Sequence, residues 1–305
     1  MWFRNLLVYR LSTPLTFDQE SLEVSLSEKK ARPCASQELS TFGFTAPTGE
    51  GDAPLVHAAG GNLIISAQSE AKILPSSVIN DEVKERVSKI EEREDRKVYK
   101  KERDSIKDEV VLDFLPRAFI KKTQISASID LKNGLIYVNT ASHKKAEELL
   151  STIRELVGSL PVRPISVKQS VDGSLTSWVK GDVAPESFSV LDNAVMKDSF
   201  EEGGKVSITR QDLASDEFRL HLETGKRVTQ LAMAWEDKLS FTIDDKLVIK
   251  GIKYGDLLLD QADDDAGEDA EAVFDASFII MMSTLGEFIP ALLEALGGEE
   301  VPESI

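Results

Sequence analysis

One cysteine, Cys34, and three histidines leave the chain little with which to build a disulfide or a metal centre. A lone thiol cannot close an intramolecular disulfide, and Cys34 with the scattered His57, His143 and His221 lacks the paired spacing of a zinc finger. Long apolar runs are also missing. The longest, Phe278-Ile279-Ile280-Met281-Met282, is far short of the roughly 20 residues that cross a bilayer. Residues 1–10 alternate and soon meet charge, which suits a first β-strand and not the apolar stretch of a secretory signal. The expectation is a cytoplasmic protein with no membrane segment and no need of a cofactor or metal.

Positive charge is absent from the last part of the chain. No Lys or Arg follows Lys253, while residues 254–305 hold 14 of the 53 Asp and Glu residues. The formal charge of −17 therefore misleads: residues 1–253 carry 36 basic and 39 acidic side chains and are close to neutral. An acidic total argues against a polyanion partner, but local potential governs its approach, and a near-neutral body can gather cations on one surface.

What is present reads as an α+β chain of mixed antiparallel sheets with flanking helices. Thr16 with Gln19 predicts a capping box opening a helix to about Lys30, with Leu22 and Leu26 on one face. Strands follow at Leu39 to Thr45 and in a hairpin from Leu55 to Ala67 that turns at Gly60-Gly61-Asn62. From Ser77, Ile79, Val83, Val87 and Ile90 make a helical stripe; Ile106, Val110 and Phe114 make another, which Pro116 ends. The pair predicts a projecting helical hairpin. Gln124 to Ile129 and Leu135 to Thr140 join at Asn133-Gly134 as a β-hairpin, and Ser142 caps a helix with the stripe Leu149, Ile153, Leu156 and Val157. Period-two alternation returns at Leu231-x-Met233-x-Trp235 and Leu239-x-Phe241-x-Ile243, followed by Lys246 to Lys250. The division is a central domain of residues 1–74 and 117–165, a hairpin of 75–116, a second β-rich unit of 166–255, and an acidic helical segment of 256–305. In that segment Asp263 to Asp269 reads as a solvated linker and a helix runs from about Ala270 toward Pro290.

Catalytic chemistry finds few residues to carry it. Each histidine reads as structural or superficial, and Cys34 as a small buried hydrophobe, because no partner motif stands beside it. Gly203-Gly204-Lys205-Val206-Ser207 lacks the spacing of a phosphate-binding loop. Asp263 and Asp265 begin like a calcium loop, but Glu268 stands where glycine belongs and Phe274 where the closing glutamate belongs. The reading is a non-enzyme without catalytic or metal-binding residues. Carboxylates brought together only in space could still form a two-metal nuclease site, which stays open as an alternative.

The cations are more informative. Residues 93–103 are the densest basic run, and Lys100, Arg103 and Lys107 fall on one helical face with Lys97 a turn earlier. That face could track phosphates together with Arg96 and Lys101, or be a solvated surface whose cations pair with Glu94, Glu102 and Asp104. Spacing does not choose between them. Arg117, Lys121-Lys122, Arg210, Lys226-Arg227 and Lys246/Lys250 could add a second basic surface.

Whole phrases then carry a resemblance. Met1-Trp2-Phe3-x-Asn5-Leu6 with Tyr9-Arg10, Arg32-Pro33-Cys34-x-Ser36-Gln37-Glu38, Leu55-Val56-His57-Ala58, Lys107-Asp108-Glu109-Val110, Leu115-Pro116-Arg117-Ala118-Phe119 and Ser159-Leu160-Pro161-Val162-Arg163-Pro164 resemble, in this order, the bacterial recombination-associated RdgC family. The match is looser after Asp256. The resemblance implies a horseshoe-like protomer that closes with a second copy into a ring dimer around DNA. Binding would be sequence-independent, to duplex and also single strands, restraining the RecA recombinase at the nucleoid. It implies that Phe119 meets the partner protomer, core packing being the other reading, and that Arg210-Gln211 lies near DNA or the ring junction. A ring can be acidic outside and basic within, which would reconcile the charge with a polyanion. An adaptor that binds the recombinase directly, through the acidic C-terminal segment, is a further alternative.

Overall fold

Leu7-Val8-Tyr9, Leu63-Ile64-Ile65 and Leu135-Ile136-Tyr137-Val138 are apolar at every position, where a half-exposed strand would alternate. The computed structural model describes residues 1–301 other than 50, 182, 183, 199, 201, 202 and 268, and it gives the reason: these strands lie in a sheet buried on both faces. Glu268, where the calcium-loop comparison fails, and residues 302–305 of the acidic segment lie outside the described residues.

The first sheet contains β1 (Leu7–Leu11), β2 (Ser40–Thr45), β3 (Val56–Ala59), β4 (Asn62–Ile73), β5 (Phe119–Asp130), β6 (Leu135–Val138) and β7 (Val162–Pro164). Its order is β2-β4-β5-β6-β1-β7, every pair antiparallel, with β3 and β2 sharing one side of the long β4. On one face Leu7, Tyr9, Ile65, Ile136 and Val138 pack under α1 (Gln19–Ser27) and α4 (His143–Val157), meeting Leu22, Leu26, Leu149 and Ile153. The reciprocal cap of α1 joins Asp18 and Ser21 instead of Thr16 and Gln19. Asp18 Oδ1 accepts from the Ser21 N–H at 2.9 Å while Ser21 Oγ accepts from the Asp18 N–H at 3.0 Å, so the helix starts later and ends at Ser27. Aspartate is the better cap, and the same chemistry is met two residues on.

The other face carries Val8, Ile64, Leu135 and Tyr137 into a core shared with a second sheet. That sheet holds β8 (Phe188–Lys197), β9 (Lys205–Ile208), β10 (Arg227–Trp235), β11 (Leu239–Asp244) and β12 (Ile249–Tyr254), ordered β12-β11-β10-β8-β9 and antiparallel throughout. α5 (Val171–Lys180) and α6 (Asp216–Glu223) pack on it through Leu175, Phe218 and Leu222. The two sheets are tied through backbone: Leu6 and Ile249 exchange hydrogen bonds of 2.8 and 3.1 Å, covering the edge of β12.

Two helices follow, α7 (Asp256–Asp264) and α8 (Ala270–Ala295). α7 takes in the start of the stretch expected to be a linker, and α8 runs through Pro290 for another turn. Packing outweighs the proline: Phe288, Ile289, Leu292 and Leu293 are all buried, and each such side chain contributes about 1.5–3 kcal/mol. Phe288 meets Phe241 and Trp235 at ring-centroid distances of 4.8 and 5.4 Å. Among the described residues α8 alone is long and apolar enough to cross a bilayer, but 67% of that stretch is buried within the protein. Its apolar side chains are the shared core.

Between β4 and β5 the chain leaves the sheet as α2 (Ser76–Glu94) and α3 (Lys100–Phe114), then returns through a single 3₁₀ turn at Leu115–Arg117. Ile79, Val83, Val87, Ile106 and Val110 form an apolar cluster separate from the other two. The structure is thus α+β, with antiparallel sheets and a helical hairpin that has its own small core.

Candidate nucleic-acid interface

The far end of the hairpin is built by a residue that leaves the helical region. Asp95 ends α2 with φ 47° and ψ 43°, a left-handed conformation that aspartate tolerates better than most side chains, and the chain turns back through residues 95–99. The two helices are cross-tied near the base, where Arg86 donates to Glu82 at 2.8 Å and to Asp113 at 2.9 Å.

At the tip two of the acidic side chains, Glu94 and Glu102, are already occupied. Arg96 donates to both oxygens of Glu102 at 2.7 Å and to Glu94 at 2.8 Å, and Arg93 holds the other oxygen of Glu94. These hydrogen bonds hold the Glu94 and Glu102 carboxyls below the usual range and raise the Arg96 guanidinium further above its own. Of the three acids that could have neutralised the basic face, Glu94 and Glu102 are thereby spent on arginine, and Asp104 makes no ion pair among the described residues. Lys97, Lys100, Lys101, Arg103 and Lys107 are exposed and have no ion-pair partner among the described residues. Of the six hairpin residues singled out from the sequence, five stay free and one, Arg96, is internally paired.

At the base, β5 begins at Phe119, five residues before the strand expected at Gln124, because β4 pairs with it all the way from Asn62↔Asp130 to Ile73↔Phe119. Beyond Ala127 toward this end no strand among the described residues covers the other side of β5, since β6 pairs only with Ala127–Asp130. Phe119 is 84% exposed, so the core reading of this residue does not hold, and Leu39, Ile73 and Ile120 are exposed beside the same strand ends. Sequence patterning missed this apolar edge because Phe119-Ile120-Lys121-Lys122 does not alternate. Arg117 and Lys121 are exposed here without an ion pair among the described residues. Lys122 instead meets Glu70 at 2.8 Å. Glu70 is buried, also accepts from the Cys34 N–H at 3.0 Å, and is held below the usual carboxylate range chiefly by Lys122. Cys34 itself is buried and free.

The other cations singled out from the sequence belong to the second sheet and its loops. Arg210 takes a left-handed φ of 55°, held by its N–H to Asn193 Oδ1 at 3.1 Å. Gln211 lines a cavity of about 620 Å³ with Trp178, Val190, Leu191 and Leu213. Lys226 pairs with Asp198 at 2.5 Å, Arg227 with Asp172 at 3.1 Å and Lys250 with Asp244 at 2.6 Å, so these three are internally paired, whereas Arg210 and Lys246 have no ion pair among the described residues. His57 is held by Asp275 at 2.5 Å and lies edge-on to Phe274. Among the described residues, no group of three or more His, Cys, Asp or Glu side chains is placed to hold a metal ion.

A free basic tip and an uncovered apolar strand edge are joined to a body that the known relatives match throughout. The profile of the RdgC family, described as "Putative exonuclease, RdgC", matches residues 1–299. The chain belongs to the RdgC family. Proteins named "Recombination-associated protein RdgC" from Pseudomonas entomophila strain L48 and Pseudomonas aeruginosa strain PAO1 are each 58% identical over 306 aligned residues, covering all of both chains. One of the same name from Pseudomonas putida strain GB-1 is 57% identical over the same span. RdgC family proteins are recombination-associated, and the phrases quoted from the sequence fall within the matched span.

Proposed function

We propose that this chain binds DNA without reading its sequence, as a homodimeric ring around the duplex, and so limits access of a RecA-type recombinase. The observation that carries the reading is the tip of the hairpin, where Arg96 occupies Glu94 and Glu102 and leaves five exposed cations for phosphates. Such contacts position a protein on DNA but carry no base information. Phe119 and the uncovered edge of β5 suit one contact between protomers, and the Arg210-Gln211 loop beside its apolar cavity suits a second. Two separate contacts per protomer are what closure of a two-membered ring requires. The cytoplasm, at the nucleoid, is the place where such a protein would act.

A salt titration of binding tests the phosphate mechanism: the log of affinity should fall with the log of salt by about 0.9 for each phosphate neutralised, and a flat response would refute it. Sedimentation with and without DNA tests the dimer.

A second reading, a DNA exonuclease, is favoured by the description of the family. Incubation of end-labelled DNA with magnesium or manganese separates the two, because shortening of the DNA that is lost on substituting a carboxylate pair supports the nuclease. A third, an adaptor on the recombinase, predicts inhibition that persists when DNA is saturating.

A further inference from the structure

Tyr99 opens α3 with a side chain that does not cap it. It is the N-cap residue, at φ −86° and ψ 167°, where Ser, Thr, Asp or Asn would bond a free N–H of the first turn, and it makes no such bond. Nor does it pack. Val98 joins the apolar cluster of the hairpin, whereas Tyr99 is 77% exposed. Around it in sequence stand Lys97, Lys100, Lys101 and Arg103, all exposed and without ion pairs among the described residues.

Phe119 is as exposed but has the opposite setting. It lies with Ile73 and Ile120 on an open strand edge, a surface suited to protein, while Tyr99 lies among unpaired cations at the other end of α3, a separation of roughly 20 Å at 1.5 Å per residue. An aromatic ring set in free cations matches a polyanion that also offers flat π-faces. In an intact duplex those faces are stacked on one another and closed to a side chain; in a single strand they are available.

We propose that Tyr99 is a stacking platform for an unpaired base, with Lys97, Lys100 and Lys101 holding the neighbouring phosphates. The tip thereby distinguishes single-stranded or frayed DNA from closed duplex. This rests on the DNA-binding reading above and names the form of DNA that the tip takes.

Anisotropy titrations of the full chain with a short mixed-sequence single strand, and with the same sequence as duplex, test it at one salt concentration. Tyr99→Ala should weaken single-strand binding roughly tenfold and duplex binding less than about twofold, Tyr99→Phe should keep wild-type behaviour, and Tyr99→Trp should give an added emission that single strands quench. Equal loss on both forms, or none on single strands, overturns the assignment. A changed sedimentation mass for Tyr99→Ala with single-strand affinity intact assigns the ring to a protein contact and also overturns it. Lys100→Ala/Lys101→Ala separates the two levels. If that variant weakens both forms while Tyr99→Ala weakens neither, DNA binding stands and stacking falls; if the wild type binds neither form, both fall.

Discussion

Arg96 and Glu102 face each other across the turn of the hairpin with two parallel hydrogen bonds of 2.7 Å. This fork is the strongest geometry an arginine and a carboxylate can adopt, and it sets how many charges the tip presents. Under the proposed DNA binding, removing the acids should therefore add two cations to the face that meets phosphate. Glu94→Gln/Glu102→Gln frees both Arg93 and Arg96 and is expected to steepen the salt dependence of DNA affinity by about 1.8, read from the slope of log affinity against log salt.

Lys100 and Lys101 already stand free. Their double replacement by alanine should make that slope shallower by about 1.8 and weaken binding to unrelated sequences by a similar factor. Loss confined to one sequence would point to base readout instead.

Phe119 is exposed, so under the proposed dimer its replacement changes contacts between chains more than those within one. Phe119→Asp places a charge on the apolar edge and is expected to shift sedimentation toward the monomer, with thermal stability altered by no more than about 0.5 kcal/mol. A large loss of stability together with unchanged mass would place the side chain in a core.

Glu299 bridges two cations that would otherwise repel. Arg10 and Arg163 are register partners on β1 and β7, and Glu299 reaches them at 2.5 and 2.9 Å. Burial works to raise the Glu299 carboxyl, but hydrogen bonds and charge from the two arginines outweigh it and the net direction is down. A depressed carboxylate contributes stability above its unfolded value, about 4.3, and loses it as pH falls through the folded value. Glu299→Gln should cost roughly 1–3 kcal/mol at neutral pH, between the values for exposed and buried pairs. The difference from wild type in urea midpoint should hold constant down to about pH 5 and shrink below it.

Local chemistry was legible where one residue type decides the outcome. Asn133-Gly134 made its hairpin, the stripes of α2 and α3 made theirs, and the alternation at Leu231 to Trp235 and Leu239 to Phe241 gave β10 and β11. What distant partners decide was not. The strand at Phe119 exists because β4 continues to Ile73, and α8 passes Pro290 because the aromatic rings of β10 and β11 receive Phe288. At the tip the sequence offered paired and free cations as alternatives. Choosing between them required seeing that a single arginine had taken two carboxylates.

The placement of α8 bears on how the chain is made. It belongs to the core of both sheets yet comes after the twelve strands found among the described residues, so on the ribosome neither sheet can be sealed on that face until residue 295 has emerged. The hairpin draws its cluster from residues 74–114 alone and can settle while the rest is still being translated. The hairpin with its basic tip thus has its own core before the body that carries it is complete.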